Sequence, residues 1–207
     1  MLNIIDHGTG NITSIKNFLD SVKVQHQLAT NTNNLKNASH IIIPGVGHFR
    51  AAMNKLRTLE MDKAIFDAAM HGVPILGICL GMHILYEFSE EGMSEGLGLM
   101  KGQVVKKKPS NPNLHKVPNV GWLSVERIMD SCLFNNIAKK ESIFYFANLF
   151  AVENKHQNSN TSIYNFDNDY IASSEKKNIY CTQFHPEKSG VVGHTLIKNF
   201  LNLKIHK

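Results

Sequence analysis

Three residues carry the chemistry of a covalent hydrolase. Cys79 stands in Gly77-Ile78-Cys79-Leu80-Gly81, and His185 and Glu187 flank a proline in Gln183-Phe184-His185-Pro186-Glu187. A thiol attacks a carbonyl as its thiolate. An imidazole beside it takes and returns the protons, while a carboxylate on the far ring nitrogen fixes the tautomer and stabilises the imidazolium. Read separately, Cys79 can be a small core residue beside a tight turn, and His-Pro-Glu a chance surface tripeptide. Together in one α/β chain they favour a Cys-His-Glu triad.

These residues need particular elements beneath them. Val73-Pro74-Ile75-Leu76 reads as a buried strand and residues 82–88 as a helix, so the chain must reverse within two or three residues at Cys79. Glycine on both sides leaves room for that turn and sets the central side chain at its tip, as in the nucleophile elbow of serine hydrolases. The unpaired N–H groups at the start of the helix stabilise a thiolate, and that of Leu80 is placed to receive an oxyanion. Upstream, the β-branched run His40-Ile41-Ile42-Ile43 reads as a central parallel strand. It stops at Pro44-Gly45-Val46-Gly47, a loop able to present backbone N–H groups to an anion. Downstream, proline keeps His185 and Glu187 out of regular bonding, so both project from the end of a strand at residues 179–184.

The rest of the chain fits one domain over residues 1–207. Residues 1–5 read as a strand, followed by a glycine turn and a helix through Ile12, Ile15, Phe18, Leu19 and Val22. Two helices follow residue 48, and from residue 96 short strands alternate with turns until a closing helix at 193–203. The expected fold is α/β: a mostly parallel central sheet flanked by helices, with a more antiparallel C-terminal part. No stretch reads as a signal peptide or a membrane span of ~20 residues. Three widely spaced cysteines suit free thiols rather than a disulfide framework, and a reducing cytoplasm is the expected setting. The formal charge of +5 gathers at Lys101 and Lys106-Lys107-Lys108 without interleaved aromatics. That pattern reads as a solvated loop or docking surface rather than a nucleic-acid site. None of the eleven histidines pairs at zinc-ligand spacing, so no metal or cofactor is expected.

The elbow, the Pro44-Gly45-Val46-Gly47 loop and Gln183-Phe184-His185-Pro186-Glu187-Lys188-Ser189-Gly190 together resemble the class I (triad) glutamine amidotransferases. Within that class the chain is similar to the glutaminase subunits of imidazole glycerol phosphate synthase. The short length agrees, as do Asp6 with Gly8-Thr9-Gly10-Asn11, Glu87 with Ser89-Glu90-Glu91, Pro118 with Gly121-Trp122, and Tyr145-Phe146. The resemblance implies that Cys79 forms a γ-glutamyl thioester from glutamine, with His185 as acid and base and Glu187 orienting it. It implies an oxyanion hole from Leu80 and Gly45, Val46 and Gly47, and a glutamine pocket that includes Gly47, His83, Glu91, Asn148 and Leu149. It also implies a heterodimer with a (β/α)8-barrel cyclase subunit of histidine biosynthesis, joined near Asn119, Trp122 and Leu123. In that family the oxyanion loop reorients when the partner is loaded.

Several positions depart from the family pattern. His83 stands where glutamine is common, and His7 replaces a tyrosine before the first glycine turn. Pro118-Asn119-Val120-Gly121-Trp122-Leu123 and Tyr145-Phe146-Ala147-Asn148-Leu149-Phe150 lose polar groups. These changes leave three other readings open: a paralogue that feeds ammonia to a related barrel enzyme for amidating another metabolite such as a surface sugar, an idle regulatory subunit, and a stand-alone thiol hydrolase.

Overall fold

The structure, a computed structural model, describes residues 1–8, 12–127, 130–153 and 160–205. Thr9, Gly10 and Asn11 of the opening turn lie outside the described residues. The first half alternates strands and helices: β1 (Leu2–Ile5), α1 (Ile12–Ser21), β2 (His26–Ala29), β3 (His40–Ile43), α2 (Phe49–Thr58), α3 (Met61–Met70), β4 (Ile75–Ile78) and α4 (Leu80–Leu85). The second half is mainly strands: β5 (Phe88–Ser89), β6 (Ser94–Glu95), β7 (Gln103–Lys106), β8 (Asn119–Ser124), β9 (Glu126–Arg127), β10 (Ile143–Asn148), β11 (Phe150–Val152), β12 (Asn160–Phe166), β13 (Asn168–Lys176) and β14 (Ile179–Thr182). The helix α5 (Gly190–Leu201) closes the chain.

An eight-stranded sheet runs in the order β2-β1-β3-β4-β14-β13-β12-β9. Its first five strands are parallel, and β13, β12 and β9 continue it antiparallel. Strands covered on both faces can be apolar throughout, and β3 shows why its isoleucine run belongs there. Ile41 and Ile43 pack with Phe49, Leu56 and Ile65 of α2 and α3 on one face. Ile42, one residue out of phase, packs with Phe18, Leu19, Leu196 and Phe200 of α1 and α5 on the other. Each such buried side chain contributes about 1.5–3 kcal/mol relative to exposure. No helix among the described residues is long and apolar enough to cross a membrane.

The sequence reading and the structure differ in informative places. The helix after the elbow is shorter than expected, six residues instead of a run to 88, because Phe88–Ser89 pairs with β6 and β7. Strand β2 is half-buried at the sheet edge and has no strong alternation to announce it. The basic run is only partly solvated: Lys106 and Lys108 are exposed, but Lys107 is 1% exposed.

Candidate active site

The elbow is built by backbones that approach too closely for side chains. A Cβ on Gly81 would stand 1.8 Å from the Ile43 carbonyl oxygen, and one on Gly77 2.6 Å from the Gly81 carbonyl oxygen. A Cβ on Gly45 would lie 1.9 Å from the Ile78 carbonyl oxygen and 2.3 Å from the Leu80 nitrogen. The glycines of two separate motifs are therefore one packing requirement, met where the ends of β3 and β4 converge on α4. Cys79 itself has φ 51° and ψ −104°. A non-glycine residue held there stores roughly 1–3 kcal/mol of strain. Its N–H is fixed by a 2.7 Å bond to the Thr182 carbonyl at the end of β14.

That bond shows how two distant pieces of sequence meet. β14 lies parallel beside β4, with Thr182 opposite Ile78, so the residues that follow each strand emerge at the same end of the sheet. His185 follows β14 and starts a short 3-10 turn with Pro186 at its first position. Its N–H donates to the Tyr145 carbonyl at 2.8 Å, and its own carbonyl accepts from Ser189 Oγ at 2.7 Å. Nδ1–H of His185 donates to Glu187 Oε1 at 2.9 Å, with both side chains almost wholly buried. The opposite nitrogen, Nε2, is buried with no hydrogen-bond partner among the described residues. Burial by itself would depress the His185 pKa. The charge of the Cys79 sulfur and then the Glu187 carboxylate outweigh it, raising the value from 6.5 to about 10. A protonated His185 imidazole, oriented by a carboxylate, is the state this arrangement favours.

The remaining expected site residues are spread over the elbow, the loop after β3, the segment after β5 and the β8–β10 pair. Leu80 opens α4, so its N–H is among the first four of the helix, which have no intrahelical acceptor. Gly45 is buried against the elbow, whereas Val46 and Gly47 are exposed, Gly47 with φ 123°. The loop is held at both ends. His7 Nε2 donates to the Pro44 carbonyl at 2.7 Å, and Glu91 Oε2 accepts from the Phe49 N–H at 3.0 Å. Half-burial raises the Glu91 pKa, the backbone bond opposing it. Asn148 is buried, its amide nitrogen donating to the Phe150 carbonyl and the Tyr164 hydroxyl, and Leu149 next to it is half-buried. Trp122 is 55% exposed and meets the Tyr145 ring edge-on at 5.9 Å, so it is no buried structural tryptophan. Its neighbours differ: Asn119 is buried and Leu123 half-buried.

Three side chains take roles that the sequence reading did not assign. Gln183 places Nε2 3.6 Å from Cys79 Sγ, and its Oε1 lies 2.8 Å from His83 Nε2. His83 is thus buried against Gln183. Lys107 is buried under the site with Nζ 3.4 Å from Asn148 Oδ1 and 4.3 Å from the centre of the Phe166 ring. Burial lowers its pKa from 10.5 to about 7, opposed by the Cys79 sulfur. Gln183 stands two residues before His185, a closeness in sequence that marks it as a neighbour of the site. Nothing in a three-lysine run marks its middle member as buried.

Comparison with known proteins identifies the family. The family model described as glutamine amidotransferase class-I matches residues 3–203. Among curated proteins, the imidazole glycerol phosphate synthase subunit HisH of Oceanobacillus iheyensis is 40% identical over 201 residues, covering 97% of this chain and 98% of that one. The HisH subunit of Methanocaldococcus jannaschii is 38% identical over 204 residues, covering 98% of this chain and 100% of that one. Among solved structures, PurLQS from Thermotoga maritima superposes with a TM-score of 0.73 over 97% of both chains at 20% identity, a likeness of fold. A family model matching nearly the whole chain, with relatives up to 40% identical over almost their full length, makes this protein a member of the class I glutamine amidotransferases.

Proposed function

We propose that this chain is the glutaminase subunit of an imidazole glycerol phosphate synthase, hydrolysing glutamine through Cys79, His185 and Glu187 and passing the ammonia to a cyclase subunit. The observation that carries the chemistry is the parallel pairing of β4 with β14, which brings the elbow cysteine and the His185–Glu187 pair to one end of the sheet. The near full-length likeness to HisH subunits supports the pathway.

The residues divide the reaction into two acyl transfers. Cys79 Sγ attacks the side-chain amide carbon of glutamine, and the carbonyl electron pair moves to oxygen. The N–H of Leu80 and one from Gly45-Val46-Gly47 receive that oxyanion; removing such a donor costs roughly 100- to 1,000-fold in rate. Collapse breaks the carbon–nitrogen bond as His185 Nε2 gives its proton to the departing nitrogen, leaving ammonia and a thioester. His185 then takes a proton from water, which attacks the thioester; the sulfur leaves and glutamate is released. Glu187 holds the imidazole through both steps. Glu91, beside the loop, binds the α-amino group of glutamine, and Gly47, His83, Asn148 and Leu149 complete the pocket's surroundings.

Ammonia released into neutral water becomes ammonium, which has no lone pair to react. A second active site must therefore be reached before the ammonia meets solvent, and a (β/α)8-barrel cyclase subunit seated over Asn119, Trp122 and Leu123 provides it. The exposed indole of Trp122 meets Tyr145, whose ring in turn lies 6.5 Å from that of His185, and this supports that placement. The test is synthesis by the assembled complex. Cys79→Ala is expected to abolish glutamine-dependent formation of imidazole glycerol phosphate and to leave ammonia-dependent formation intact. Loss of both, or glutamine-dependent synthesis by the variant, overturns the assignment. Glutamine hydrolysis without imidazole formation by the wild-type complex would leave the chemistry and overturn the pathway.

A further inference from the structure

The cysteine sulfur has a second set of neighbours besides the triad. Gln183, fully buried at the end of β14, aims its amide nitrogen at Cys79 Sγ from 3.6 Å. On another side, the Ala147 carbonyl lies 4.0 Å from the same sulfur as an acceptor for the thiol hydrogen. The two contacts act oppositely: a carbonyl acceptor favours the protonated thiol, whereas an N–H donor favours the thiolate. The orientation of the Gln183 amide therefore matters to the nucleophile.

What fixes that orientation is His83. Gln183 Oε1 is 2.8 Å from His83 Nε2, and both groups are buried. With the proton on Nε2, the histidine donates to Oε1 and the amide must turn its NH2 toward the sulfur. With the proton on Nδ1, the amide is drawn to flip, and a carbonyl oxygen would face the sulfur instead. His83 stays neutral at working pH, because burial and the nearby Lys107 charge outweigh the Gln183 bond and lower its pKa to about 4. It can therefore act as a single fixed donor rather than a varying charge.

We propose that His83 is a positioning residue that acts through Gln183, holding an amide N–H against the Cys79 sulfur and so promoting its reactive thiolate. The catalytic part of this inference rests on the glutaminase reading; the part about sulfur reactivity does not. Its place is set by the elbow: His83 lies one helical turn after Cys79, and its N–H bonds back to the Cys79 carbonyl at 3.1 Å. Nucleophile and positioning residue thus flank the first turn of the same short helix, with Gln183, just after the neighbouring strand, bridging their side chains.

The experiment compares His83→Phe, His83→Gln, Gln183→Met and the double variant His83→Phe/Gln183→Met in the full chain. The rate of iodoacetamide alkylation at Cys79 is followed by mass spectrometry against pH, and folding of each variant is checked by circular dichroism. His83→Phe and Gln183→Met are each expected to slow alkylation at neutral pH about tenfold, the scale of one charge-assisted hydrogen bond. The double variant should be no slower than either single one, because one pathway has been cut twice. His83→Gln, whose amide can still donate to Oε1, should stay within about threefold of wild type. In the assembled complex kcat should fall in step with the alkylation rate, in Gln183→Met as in His83→Phe. A folded His83→Phe with the wild-type alkylation profile overturns the proposal, as do additive losses in the double variant. If His83→Phe fails to fold, slow alkylation in Gln183→Met with a near-wild-type rate in His83→Gln supports it, and equal rates in Gln183→Met and wild type overturn it. If the wild-type complex hydrolyses no glutamine, the glutaminase reading fails, while the alkylation series still decides the coupling.

Discussion

Replacing Lys107 by methionine should raise the stability of this protein below pH 7, with the gain fading as the pH rises toward 10.5. The ammonium is 1% exposed, and no ion pair accompanies it among the described residues. It lies 3.4 Å from the Asn148 amide oxygen and 4.3 Å from the centre of the Phe166 ring. Burial holds its pKa near 7 instead of 10.5. The sign follows from linkage. Below pH 7 both folded and unfolded chains carry the proton, and the folded state bears the full cost of burying the charge. Between pH 7 and 10.5 the folded chain releases its proton while the unfolded chain keeps it, so wild-type stability rises and the gap closes. The difference of 10.5 − 7 = 3.5 units corresponds to about 5 kcal/mol at about 1.36 kcal/mol per unit. Methionine has a similar reach, but it forfeits the ring contact and the bond to Asn148, about 1–3 kcal/mol together. A net gain of about 2–4 kcal/mol at pH 6 remains, or roughly 4–16 °C in midpoint for a chain of this size. Urea unfolding of both proteins at pH 6, 8 and 10 measures it. A variant less stable than wild type at pH 6, or a difference that does not change with pH, would refute the reasoning.

Other perturbations separate the parts of the site. Gly45→Ala puts a methyl group 1.9 Å from the Ile78 carbonyl, so the loop must move; glutamine turnover should fall at least ~100-fold while ammonia-dependent synthesis by the complex survives. Wild-type turnover would place the oxyanion donor elsewhere. Cys79→Ala removes the largest upward influence on His185, and its imidazole titration, followed by NMR, should move to lower pH; an unmoved midpoint would mean that Glu187 alone sets it. Trp122→Ala should change stability by less than ~0.5 kcal/mol, because the ring is 55% exposed, yet weaken binding of the barrel subunit at least tenfold, measured by calorimetry. Unchanged affinity would place Trp122 outside the interface.

Much of this was legible because strong local constraints coincide with the site. The isoleucines of β3, the glycines around Cys79 and the proline between His185 and Glu187 each leave few backbone choices, and the expected α/β sheet with an antiparallel continuation follows from them. What stayed hidden depends on pairing between distant segments. β2, β5, β6 and β9 are short and owe their existence to the strands they join, so no local alternation betrays them. Lys107 looks like its solvated neighbours until β7 pairs with β11 and the aromatic side chains of β12 and β13 close over it. The family position of His83 marks it as a pocket residue. The structure adds its bond to Gln183, a contact across 100 residues that spacing cannot disclose.

The most direct trial of the central claim is covalent. An electrophilic glutamine analogue incubated with the assembled complex should label one residue, Cys79, as mapped by peptide mass spectrometry. Glutamine should protect against the label, and His185→Ala should slow its formation by at least ~100-fold. Label on Cys132 or Cys181 instead, or glutamine hydrolysis that persists in Cys79→Ala, would contradict the account.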